Sequence, residues 1–289
     1  MTEDEWLTAT DPAPMIGVVR DGATERKLRL LALACCWRFE YLLDTEGGEL
    51  RHRPPEDNRR RLPSEVERRR RAIAILESRI EGAVDERELW TALNNAASDG
   101  YGASRDPGDT VGHAVYAASA CFDCIRRGDW EGVIATASEV PAYDALTLSS
   151  NPDLARITAF WKVSNLGQGD ARWRSDIVAV EGLPEYVSAL AIERNNQSNL
   201  VRDIFGNPFR PVLFSPSWRT TTATTLVARM YESREFGAMP ILADALQDAG
   251  CDSADVLDHC RGPGPHVRGC WVVDLVLGKE RAGNSSGTP

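Results

Sequence analysis

Residues 64–98 read SEVERRRRAIAILESRIEGAVDERELWTALNNAAS, and this stretch decides the fold class. Ser64 and Glu67 stand three residues apart, and so do Asp85 and Glu88. That is the spacing of a capping box, in which each end satisfies a backbone N–H left over at a helix start. Ala72, Ile73, Leu76 and Ile80 recur at helical spacing and predict one buried face. Gly82 ends the first helix, since glycine takes the left-handed conformation that closes one. Two consecutive helices with a short turn between them follow.

Working outward, the same signals repeat. Toward the N-terminus, short helices are expected at 4–8 and 14–20. Thr24 is placed to cap a longer helix whose apolar residues nearly surround its middle, which predicts a buried element. Cys35 and Cys36, adjacent on it, cannot face one way; one is expected in the core and the other beside it. Toward the C-terminus, helices are expected at 110–127, in DWEGVIATASEV (129–140), at 154–163 and 185–205, then at 221–234, 240–249, 253–260 and 266–277. A short strand is conceivable at 177–180. No strand-period alternation persists beyond four residues. The expectation is an all-α protein, an irregular multi-helix bundle or a short solenoid-like array of helical hairpins. Four segments are drawn from the pattern: an N-terminal helical block (1–100), a variable middle segment (101–195), a C-terminal helical block (196–279) and a disordered tail (280–289).

The chain has 289 residues, a formal net charge of −10 and 43% hydrophobic content. Such an acidic balance argues against a protein built mainly to hold nucleic acid. Of 33 basic residues only Lys27, Lys162 and Lys279 are lysine. The acidic start MTEDEWLTATDP does not read as a signal peptide. No apolar run is long enough to span a bilayer. Seven cysteines, an odd number without small-scaffold spacing, suggest reduced thiols in a cytoplasmic protein.

The densest chemistry is CDSADVLDHCRGPGPHVRGCWVVDLVLG (251–278). Cys251, His259, Cys260, His266 and Cys270 are candidate zinc ligands, because zinc takes tetrahedral Cys/His sets at short spacing. No CxxC knuckle accompanies them, and free cysteines are commonly small core residues. If a helix starts after Pro265, then His266, Cys270 and Asp274 share one face, and a Cys270 nucleophile with a His266 base is the catalytic alternative. The apolar neighbours of Cys270 weigh against it, since buried thiols are inert. Asp274 within that apolar run needs a partner or a proton, with Arg210, Arg261 and Arg268 the nearest in sequence.

A second candidate is RDIFGNPFRP (202–211), where Arg202, Asp203, Phe205, Asn207, Phe209 and Arg210 form a possible binding loop. Cys121 and Cys124 form a CxxC late in a helix, where core packing is the expected role. Nine arginines between 51 and 71 could meet nucleic acid, but interleaved acids favour a solvated helix face. There is no P-loop, dinucleotide fingerprint, HExxH, GxSxG or EF-hand loop.

Two blocks, MTEDEWLTATDPAPM through LNNAA and NLVRDIFGNPFRPVLFSPSW through HVRGCWVVDLVLGK, resemble an uncharacterised bacterial family abundant in planctomycete genomes. That family shares WL-x-x-x-DP-x-PM, RDIFGNPFRP, LPILADAL-x-x-AGC and HVRGCW-x-x-DL-x-LGK. Residues 100–195 match poorly, and Ala9 and Trp37 stand where a Cys and an Arg are expected. The resemblance implies a shared fold and carries no activity. The sequence therefore favours a helical protein-interaction or regulatory module without a cofactor, facing a protein partner. A zinc-supported protein, structural or hydrolytic, is the alternative, and nucleic-acid binding through 51–71 a third.

Overall fold

The computed structural model describes residues 1–38, 65–80, 85–98, 124–125, 127–147 and 180–279. These form eleven α-helices and no strand, so the protein is all-α. The helices are α1 (Glu3–Thr8), α2 (Pro12–Val19), α3 (Glu25–Trp37), α4 (Glu65–Ile80), α5 (Glu86–Ser98), α6 (Trp130–Thr147), α7 (Pro184–Phe205), α8 (Thr221–Ser233), α9 (Met239–Asp248), α10 (Ala254–Arg261) and α11 (Trp271–Leu277). No helix among the described residues is long and apolar enough to cross a membrane.

The chain divides into two compact units. One is Met1–Ala34 with Asn196–Pro289; the other is Cys35–Asn195. The first unit thus joins the two ends of the chain, and both boundaries fall inside helices, α3 and α7.

Local signals act as their chemistry demands. Thr2 and Glu5 close a capping box on α1, with bonds of 3.3 and 2.7 Å. The Asp11 carboxylate accepts from the Ala13 N–H at 3.0 Å and starts α2, with Pro12 at the first position, where a missing N–H costs nothing. Thr24 accepts from Lys27 N–H, and Asp85 accepts from Glu88 N–H. Ser64 lies outside the described residues.

Within the first unit, α8 packs on α9 and α11, and α9 on α10. Their shared core includes Val227, Met230, Leu242, Val256, Val272 and Val273. Trp6, Met15, Ile16 and Leu30 are also buried. In the second unit α4 packs on α5, and the Arg38 guanidinium holds the buried Glu193 carboxylate at 2.5 and 2.8 Å.

Several expectations change. Cys35 and Cys36 are both fully buried, because α3 is covered all round at that level. The helix starting at 130 continues to Thr147 through Pro141. Val180 is helical, not the end of a strand. The last helix begins at Trp271 rather than His266: Gly264 and Gly269 hold left-handed φ values of 83° and 94°, which keep residues 262–270 an irregular loop. The expectations for 110–123, 154–163, Cys121, most of the arginine-rich stretch and the tail lie outside the described residues.

Candidate functional site

Asp203 occupies the last turn of α7. A carboxylate is poorly placed there, facing the negative end of the helix dipole, so it needs other support. It is almost fully buried, and the support comes from the 259–270 segment. His266 Nδ1 lies 2.9 Å and His259 Nε2 3.2 Å from Asp203 Oδ1. The Val267 N–H donates to the other oxygen, Oδ2, at 3.0 Å. Burial alone would raise the Asp203 pKa; the hydrogen bonds from His259 and His266 override it and hold the carboxyl below its usual range.

His259 Nε2 also lies 3.1 Å from Cys270 Sγ. The His259 ring stacks edge-on to His266 and tilts against Trp271, with centroids 4.9 and 5.2 Å apart. One ligand-type atom from each of Asp203, His259, His266 and Cys270 falls within 4.8 Å of the others.

So three of the five proposed zinc ligands, His259, His266 and Cys270, come together. Cys251 and Cys260 do not join them; both are buried in the apolar core of the first unit. Asp203, read from sequence as part of a binding loop, is the fourth member. The signal for it was present: an acid in the last turn of a helix, three residues before the closing Gly206.

The single-face arrangement of His266, Cys270 and Asp274 does not form, because residue 266 is in a loop. His266 and Cys270 meet through that loop instead. Asp274 turns away to the Arg26 guanidinium of α3, at 2.6 and 3.2 Å, and Arg26 also reaches the Tyr231 hydroxyl at 2.9 Å. The partner comes from the other end of the chain, not from Arg210, Arg261 or Arg268. Burial by itself would lower the Arg26 pKa; the Asp274 carboxylate reverses that and raises it.

A Cys270 nucleophile is not supported. The thiol is fully enclosed, and burial, then the Asp203 charge, pushes its pKa well up. The same His259 nitrogen faces both the thiol and the carboxylate, whereas a base needs its second nitrogen for the orienting group. Burial likewise pushes Cys260 up to about 12.

Next to this cluster lies a cleft of about 470 Å³, with Trp6, Arg202, Phe205, Asn207, His259 and Trp271 among its walls. Arg202 fixes one wall by donating to the Trp6 and Ala9 carbonyls at 2.5–3.0 Å. Asn207 donates to Glu3 at 2.8 Å and accepts from the Phe209 N–H at 2.9 Å, shaping the loop. Arg210 pairs with Glu3 at 2.5 Å. Gly206, at φ 67°, lets α7 end against the Trp271 ring; a Cβ there would sit 3.2 Å from it. The proposed loop residues therefore split. Arg202, Phe205, Asn207 and Arg210 line the cleft, Phe209 lies exposed in the same loop, and Asp203 points into the cluster. No family model, curated protein or solved structure matches this chain.

Proposed function

We propose that the chain is a helical interaction module without catalytic activity, whose first unit presents the cleft and its rim to a protein partner. The observation that carries this reading is an apolar rim exposed beside arginine. Leu213 is 92% exposed, Leu7 51% and Phe209 40%, while Leu7, Arg202 and Arg210 line the cleft itself. Large apolar side chains grouped on one loop and the neighbouring helix are what a partner covers. The occupant implied is an apolar side chain presented by another protein: Trp6, Phe205 and Trp271 stand in the walls, and Arg202 and Arg210, which also line it, are engaged with backbone carbonyls and Glu3. The family resemblance of the two end blocks adds no activity to this reading.

The test is recovery of binding proteins by the immobilised full chain, wild type against F209S/L213S. Both positions are exposed, so the fold should survive. The reading expects a protein whose recovery falls at least tenfold with the variant. Equal recovery of every captured protein would reject it. The alternative of a zinc-supported protein rests on a separate observation, the cluster of Asp203, His259, His266 and Cys270.

A further inference from the structure

The geometry points to a zinc site formed by Asp203, His259, His266 and Cys270, a closed four-ligand centre that ties the end of α7 to α10, the 262–270 loop and the start of α11. It stands independently of the docking surface.

Separation comes first. Tetrahedral zinc with bonds of about 2.0–2.3 Å holds its ligand atoms about 3.3–3.8 Å apart. The contacts here are 2.9 Å (His266 Nδ1 to Asp203 Oδ1), 3.2 Å (His259 Nε2 to Asp203 Oδ1) and 3.1 Å (His259 Nε2 to Cys270 Sγ). An ion enters if these groups draw apart by about half an ångström. Two imidazoles, one thiolate and one carboxylate suit a borderline cation better than magnesium or calcium, which prefer all-oxygen shells.

Surroundings come second. The Val267 N–H occupies Asp203 Oδ2, leaving Oδ1 for the ion, the kind of outer contact that orients a ligating carboxylate. Cys270 is the N-cap residue of α11, and its sulfur lies 3.1 Å from His259 Nε2, so the start of that helix carries a soft ligand to the imidazoles. Binding releases the Cys270 thiol proton to solvent.

Composition comes third. His266 is about nine-tenths buried and turns Nδ1 toward Asp203, so the ring is held with that nitrogen facing the other ligand atoms. An apolar core has no need to gather four ligand-type groups from α7, α10, a loop and a cap. Zinc would hold together two short helices, α10 of eight residues and α11 of seven.

The test uses the full chain, stripped of metal and titrated with cobalt(II) as a spectroscopic stand-in and with zinc. One ion per chain is expected, with tetrahedral-intensity d–d bands and a thiolate-to-cobalt charge-transfer band. C270S should lose that band and bind at least tenfold more weakly. C260S, outside the cluster, should keep both. If C270S does not fold, the second readout is the unfolding midpoint of the metal-free wild type, which zinc should raise and a chelator return. Failure of the metal-free wild type to take up either ion, or uptake without a sulfur band, would overturn the assignment. So would a cobalt spectrum that C270S leaves unchanged.

Discussion

Replacing Arg26 with methionine should destabilise the first unit by about 3 kcal/mol. Asp274 is 0% exposed and draws its charge compensation from the two guanidinium nitrogens at 2.6 and 3.2 Å. Removing one partner of a buried pair costs about 3–5 kcal/mol, because the carboxylate keeps its desolvation penalty and loses what offset it. The Arg26 side chain is 22% exposed, so solvent screens part of the attraction and the low end applies, about 3 kcal/mol. Methionine keeps much of the apolar stem, so lost packing contributes little. Adding D274L removes the stranded charge, and the double variant should regain at least half the loss, since apolar replacement of both partners is often near neutral. The assay is urea unfolding of wild type, both single variants and the double variant. Hydrogen exchange of the Val272–Val276 amides isolates the first unit. An R26M loss under about 1 kcal/mol, or a double variant as unstable as the two singles summed, would refute the reasoning.

Three further outcomes follow from local geometry. G206A combines a left-handed backbone with a Cβ 3.2 Å from the Trp271 ring, whereas Gly250, at φ 87°, has nothing within 4 Å; urea melts should show G206A losing more than G250A, which pays only about 1–2 kcal/mol of backbone strain, and equal losses would contradict the packing argument. Glu139 is held at about 7 instead of 4.5, first by burial and then by Glu181. A raised carboxyl pKa favours the folded state fully below 4.5, and that stability is lost as pH rises to about 7, up to about 3 kcal/mol. E139Q should therefore melt higher than wild type at pH 8 and show a smaller fall between pH 5 and 8; an unchanged fall would contradict this. R202K removes the guanidinium fork that spans the Trp6 and Ala9 carbonyls, so amide exchange over residues 3–9 should speed up while α9 stays unchanged, and equal exchange at 3–9 would remove Arg202 from its clamping role.

Helix existence was legible because it is written locally. Capping residues, glycine stops and apolar spacing act within one turn, so α1, α2, α5 and α8 to α10 begin and end within two residues of their expected bounds. The 262–270 loop was misread because apolar spacing from His266 onward mimics a helix, while Gly264 and Gly269 impose a left-handed backbone whose need comes from distant packing: a Cβ on Gly269 would meet Leu30 at 2.8 Å. The same limit applies to the site. His259, His266 and Cys270 lie close in sequence and were legible as a group. Asp203 reaches them across 63 residues to His266, and Arg26 reaches Asp274 across 248; no local pattern carries such pairings. Cys251 and Cys260 drew attention by residue type; all three cysteines sit in one apolar core, and only Cys270 also reaches His259, at 3.1 Å.

The docking surface is the account's central claim, and photo-crosslinking tests it most directly. A benzophenone side chain placed at Leu213, 92% exposed and next in sequence to the cleft-lining Val212, is compared with one at Ile241, which is 62% exposed on α9. The account predicts a discrete adduct to another protein from position 213, lost when Phe209 is changed to serine, and none from 241. Adducts of equal yield from both positions, or none from 213, would contradict it.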